Sequence, residues 1–289
     1  MELNFQKVSK FYGNKKALNP FSATLTEGVY GLLGPNGAGK STLMNILTGN
    51  LTATSGQILL DGHDIRDMKK NYFGRIGYMP QQEVLYPTFT VEHFLYYMAS
   101  LHGMSNQAAS ERIDEMLLAL DLEDVRKTPI GQLSGGMKRR LLLAQAMIHE
   151  PDILILDEPT TGLDPKQRIA VRNLIAEFAR ERIVILSTHI VADVDYIATE
   201  LLFISRGNLL EKGSPTSFLD NLQGHIWEVT VPTDCMSQVT QSGTVTALYK
   251  CRDTITVRIL SDQAPVYPCK AVPPTLEDVY LNFFKDDEI

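Results

Sequence analysis

The sequence has 289 residues, with 27 basic and 34 acidic side chains and a formal charge of −7. That length suffices for a sizeable core and about two domains, and the acidic balance argues against nucleic acid as a partner, whose binders carry a basic footprint. Three widely spaced cysteines, Cys235, Cys251 and Cys269, form no C-x-x-C pair, which points to reduced thiols in a cytosolic protein rather than to a metal site or redox couple.

In chain order, the opening MELNFQKVSKFYGNK has no apolar leader core. No later apolar run approaches the roughly 18 residues that a spanning helix needs, so neither export nor a membrane span is expected. Up to about residue 80 the text is strand-like. GVYGLLG reads as a strand, TLMNILTGNL as a helix, and Asp61-Gly62 within GQILLDGHDI as a hairpin turn. From about 84 to 150 helices dominate, and Ile113, Met116, Leu117 and Leu120 keep the spacing of a packed amphipathic helix. DILILDEP, RIVILSTHI and LLFISRG then read as buried strands alternating with helices, the pattern of a parallel α/β sheet. Near residue 216 the pattern changes, which predicts one domain over 1–215 and a second over 216–289.

The stretch GPNGAGKST, Gly34 to Thr42, lies between strand and helix and matches G-x-x-x-x-G-K-[ST] at Gly34, Gly39, Lys40 and Ser41. Its glycines let backbone approach phosphate, and the N–H groups of Pro35-Asn36-Gly37-Ala38 and their neighbours, proline excepted, with the helix N-terminus, make an anion site that includes Thr42. Lys40 is expected at the β- and γ-phosphates and the Ser41 hydroxyl on Mg²⁺. In ILILDEP, Asp157 ends a buried strand, where such sheets place their ligands, and is the second candidate for the metal. Glu158 follows as the group to orient or deprotonate a water.

LSGGMKRR stands 18 residues before Glu158. Ser134 there is a candidate helix cap, and Gly135 and Gly136 leave the first N–H groups uncovered, a second anion site. Lys138, Arg139 and Arg140 would on the plainest reading form a solvated basic face. Two phosphate-facing elements far apart in one chain suggest a nucleotide held between two copies.

The loop, LSGG and ILILDEP, in this order and spacing, resemble the ATPase subunit of an ABC transporter over residues 1 to about 215. The resemblance implies the P-loop α/β fold of an ABC nucleotide-binding domain, with a mixed sheet, N-terminal antiparallel strands and a helical subdomain at about 84–150. It implies ATP and Mg²⁺ as cofactors, Tyr12 stacked on adenine, and Gln81 at Mg²⁺ or the attacking water. It further implies Asp164 crossing to the other subunit and His189 sensing the γ-phosphate. Two ATP molecules would be sandwiched between paired subunits, homodimeric or with a degenerate partner, driving a separate transmembrane permease from the cytoplasmic side of the membrane. Met137 replaces the commoner Gln, and this variant, with the terminal PPTLEDVYLNFF, is similar to ATPases of ABC-2-type exporters. Import with a regulatory tail, or a soluble non-transport ATPase, are the alternatives.

In the tail, Trp227, Val229 and Val231, then Val245, Ala247 and Tyr249, then Ile255, Val257 and Ile259 alternate as three half-buried strands. Thr275 and Asp278 have capping-box spacing, and Leu276, Val279, Tyr280, Phe283 and Phe284 give one apolar face. The expectation is a small α+β unit with its own core, its helix covering the strands.

Overall fold

The computed structural model describes residues 1–82 and 84–285; the last four positions of the expected tail, 286–289, lie outside them. β1 (Leu3–Tyr12) and β2 (Lys15–Leu25) pair antiparallel, and β3 (Gly28–Leu33) leads into the glycine loop and α1 (Lys40–Leu47). β4 (Ser55–Leu60) and β5 (His63–Asp64) turn through Asp61 and Gly62, whose φ values of 49° and 83° are the left-handed pair that a tight hairpin favours. The short helices α2 (Ile65–Met68) and α3 (Lys70–Phe73) lead to β6 (Ile76–Met79).

The helical region comprises α4 (Val91–Leu101), α5 (Asn106–Ala119) and α6 (Gly135–Met147). Thr90, Ser105 and Ser134 cap them, each accepting a backbone N–H three residues on, which satisfies an otherwise orphaned donor. β7 (Ile153–Asp157), α7 (Pro165–Phe178), β8 (Ile183–Ser187), β9 (Glu200–Ser205) and β10 (Asn208–Gly213) complete the α/β part.

β2-β1-β4-β5 form an antiparallel sheet, and β10-β9-β3-β8-β7-β6 a mixed one in which β10 alone runs antiparallel to its neighbour. Strand alternation feeds two cores. Ile153 and Ile155 of β7, Ile183 and Ile185 of β8, and Leu202 and Ile204 of β9 join α1 and the antiparallel strands. Leu154, Leu156, Val184, Leu186, Leu201 and Phe203 join the helical region. Because both faces are covered, the strands read as unbroken apolar runs. Their carboxyl ends then place the Asp157 segment beside the glycine loop.

α8 (Pro215–Asn221) follows β10, and its Phe218, with Leu222 just after the helix, buries in the helical-region core. β11 (Ile226–Pro232), α9 (Met236–Val239), β12 (Thr244–Cys251), β13 (Thr254–Leu260), β14 (Cys269–Ala271) and α10 (Leu276–Phe283) follow, with sheet order β12-β13-β11-β14. Val229, Val231, Ile255, Val257 and Ile259 form a small core, but Val239 of α9 lies in it and α10 does not. The opposite sheet face, with Ile226 and Leu260, shares its cluster with Leu276 and Val279. The expected covering helix therefore sits on the other side, because its aromatic end has larger partners: Phe283 stacks on Phe203 at 4.2 Å and meets Phe218 edge-on at 5.8 Å. A bulge between Val245 and Ala247 turns the rest of β12 over. Tyr249 thus faces solvent, 55% exposed, rather than sharing a face with Val245.

Candidate functional site

The glycine loop is shaped by close approach. A Cβ on Gly34 would stand 2.1 Å from the Ile204 carbonyl oxygen, and one on Gly39, at φ 111°, would stand 2.9 Å from the Ala17 carbonyl oxygen. Only glycine fits at either place. The loop wraps the Lys40 ammonium, whose Nζ donates to the carbonyls of Gly34 at 2.5 Å and Pro35 at 3.1 Å. Burial lowers the Lys40 pKa from its ordinary value, while the charges of Glu158 and Asp157 oppose the shift.

Opposite the loop, Asp157 and Glu158 are both 6% exposed. Burial, with the neighbouring Glu158 charge, pushes the Asp157 carboxyl above its usual range, although Ser187 Oγ donates to its Oδ1 at 3.0 Å. Glu158 occupies the left-handed region at φ 55°. Its Oε1 lies 2.8 Å from His189 Nδ1 and accepts the His189 backbone N–H at 3.2 Å, and Thr161 Oγ1 donates to Oε2 at 3.2 Å. Both residues line one open cleft of about 440 Å³, together with Tyr12, Asn36 to Thr42, Gln81 and Ser187.

The LSGGMKRR segment is organised around Arg139, whose plainest sequence reading is a solvated basic side chain. Arg139 is 5% exposed, not solvated. Its guanidinium donates to the carbonyls of Gln81 at 2.7 Å and Asp157 at 2.8 Å, and also to Glu158 O. One planar fork therefore fixes the backbone of the Gln81 loop and of the carboxylate pair together. Arg140, 4% exposed, donates to the carbonyls of Leu120 and Asp121 at the end of α5. Both lie in a run of three bases, where i, i+1 charges give no periodic hint of burial.

Gly34 and Pro35 hold Lys40, and Asn36, Gly37, Ala38, Gly39, Ser41 and Thr42 line the cleft with Tyr12, Gln81, Asp157 and Glu158. His189 joins through Glu158. Ser134, Gly135, Gly136 and Asp164 do not line it. Ser134 caps α6, and Asp164 caps α7 by accepting the Gln167 N–H at 2.9 Å. The two segments adjoin, since a Cβ on Gly136 would lie 3.6 Å from the Gly162 carbonyl oxygen. Lys15, Lys16 and Arg206 also line the cleft. Their signal was the turn after Tyr12 and the Arg-Gly turn after β9, both next to the loop only in three dimensions.

The family described as ABC transporter matches residues 18–161. Over 221 residues the chain is 38% identical to the Nod factor export ATP-binding protein I of Burkholderia lata, covering 76% of this chain and 73% of that one. Among solved structures, the ATP binding subunit of an ABC transporter superposes with a TM-score of 0.71 at 27% identity, over 76% of this chain and 93% of that one. Clostridium perfringens cbiO1, part of the ABC transporter complex cbiONQ, does so with 0.67 at 28%, over 74% and 89%. With sequence and fold matched over most of both chains, the chain belongs to the ABC transporter family as one of its ATP-binding proteins.

Proposed function

We propose that this chain is the ATPase subunit of an export-type transporter, pairing with a second ATPase subunit around two ATP and driving a separate membrane-spanning permease from the inner face of the membrane. The observation that carries this reading is the buried Glu158, held by His189 on the same cleft as the Lys40 loop. Tyr12 lines the cleft and is half exposed, which supports its stacking on adenine. Lys40 and the loop N–H groups hold the phosphates.

Ser41, Gln81 and Asp157 present a hydroxyl, an amide and a carboxylate on one cleft, hard oxygen donors of the kind that suit Mg²⁺ beside phosphate. Mg²⁺, when bound there, neutralises phosphate charge. Glu158 takes or orients the proton of the attacking water, and His189 holds Glu158 from its ring nitrogen and marks where the γ-phosphate ends.

Ser134, Gly135, Gly136 and Asp164 stand outside their own chain's cleft and serve the nucleotide of the partner subunit. Since one chain carries both half-sites, a homodimer suffices; a degenerate partner would leave one site working. Export is supported by the name of the Burkholderia relative, and a membrane partner by the complex to which the Clostridium protein belongs. We assign nucleotide chemistry to 1–215 and a separate supporting role to 216–289.

The test is Glu158→Gln. It keeps size and hydrogen bonding but not basicity, so hydrolysis should fall about 10²–10⁴-fold while ATP affinity is retained. ATP should then trap a dimer visible by gel filtration. Near-normal turnover would remove Glu158 from the reaction.

A further inference from the structure

Asp193 lies outside the cleft and plays no part in the reading above. It closes a single 3₁₀ turn, Val191–Asp193, just after His189, and is completely buried. Its Oδ2 accepts from Thr160 Oγ1, and Thr188 Oγ1 donates to the same oxygen at 3.4 Å. Its Oδ1 makes no hydrogen bond and faces Arg168 Nε at 3.8 Å.

The three partners belong to three parts of the site. Thr160 lies two residues beyond Glu158, Thr188 directly precedes His189, and Arg168 is on α7, four residues past Asp164. Behind the turn, Val191 and Val194 pack in the same cluster as Leu276 and Val279 of α10, so the turn has a firm backing. Burying a carboxylate against two hydroxyls and one loose cation is unfavourable, and an apolar side chain would fill the place at lower cost. Packing therefore does not account for the charge. Joining loops does: one oxygen holds the roots of both segments whose tips meet as Glu158 and His189.

We propose that Asp193 is a positioning residue for ATP hydrolysis, tying the turn after Glu158 to the turn before His189 so that the two side chains stay in register. The proposal rests on the reading of Glu158 and His189 as the pair at the attacking water. Nucleotide binding, which uses the glycine loop and Tyr12, is left outside its reach.

The test uses the full-length chain with Thr160→Val, Thr160→Ser and Asp193→Asn, alone and combined with His189→Ala. Thr160→Val keeps the shape but deletes the hydroxyl. Misplacing a reacting group by an ångström costs on the order of 10²-fold, so its kcat should fall about 10- to 100-fold while KM and ATP affinity stay within about two-fold. Thr160→Ser should restore turnover, and Asp193→Asn should reproduce the loss. In a His189→Ala background, where the partner is gone, Thr160→Val should add nothing. Parallel changes in kcat and KM, a loss tracking the unfolding midpoint, or full additivity with His189→Ala would overturn the proposal. If His189→Ala itself turns over normally, the pair fails and the proposal with it. If His189→Ala is inactive but Thr160→Val is normal, the pair stands and only the role of Asp193 falls.

Discussion

Two aspartates are nearly equally buried, Asp157 at 6% and Asp278 at 1% exposed, yet they are driven in opposite directions. Burial would raise Asp278, but hydrogen bonds from Arg258, Thr246 and Thr275 outweigh it and hold the carboxyl below its usual range. Arg258 meets it through Nε at 3.1 Å and Nη2 at 2.8 Å. Asp157, at the end of β7, has the Ser187 hydroxyl and more distant charges, and burial prevails. In the C-terminal unit a charge is answered by the chain itself, so it fastens α10 to β13. At the cleft the Asp157 carboxylate has one hydroxyl, that of Ser187, as its side-chain donor, and on the reading proposed above a bound Mg²⁺ would offset what burial costs it.

The sharpest break of this contrast is Arg258→Met, which leaves Asp278 buried without its partner. Stability should drop by about 3–5 kcal/mol in urea unfolding, with ATP affinity unchanged in the folded protein. A loss of affinity would mean the C-terminal ion pair belongs to the nucleotide site after all.

Asp157→Asn should do the reverse. The amide relieves a desolvated charge, so unfolding free energy should stay within about 1 kcal/mol, while Mg²⁺-dependent hydrolysis collapses. Destabilisation on the scale of Arg258→Met would show Asp157 to be structural.

A smaller, graded effect separates the two by pH. Asp278 has a folded pKa below the unfolded 3.8, so its stabilisation is complete above 3.8 and disappears as pH falls through the folded value. Asp157 has a folded pKa above 3.8, so it destabilises at neutral pH, and the penalty lifts as pH falls through that value and is gone below 3.8. The stability gap between wild type and Asp157→Asn should therefore narrow on the way down to pH 3.8. The gap to Asp278→Asn should hold until below it. The same pH course for both would erase the distinction.

Much of the site was legible because phosphate chemistry dictates local text. Gly34, Gly39 and Lys40 are needed at fixed spacing for backbone to meet phosphate, and Asp157 and Glu158 announce themselves by ending an apolar strand. The α/β alternation was equally plain, since strands covered on both faces leave continuous apolar runs. Arg139 was illegible: a buried guanidinium bonded to carbonyls leaves no pattern, because every residue has a carbonyl. The placement of α10 was misread for a related reason. Its apolar face suits any apolar surface, and only the nearness of Phe203 and Phe218 in space selects one. The short β14 and the bulge in β12 depend on pairing partners, which one strand's alternation does not encode.

Glu158 keeps a backbone conformation, φ 55°, that side chains other than glycine adopt at a cost on the order of 1 kcal/mol. Glycine there would relax the turn between β7 and Thr160 and abolish the carboxylate at one stroke. A laboratory selection for heat resistance alone would accordingly favour Gly at 158 and, on the role proposed for Glu158, return sturdier molecules that no longer turn over. Any directed-evolution scheme for this scaffold has to couple survival to turnover, or hold that codon fixed.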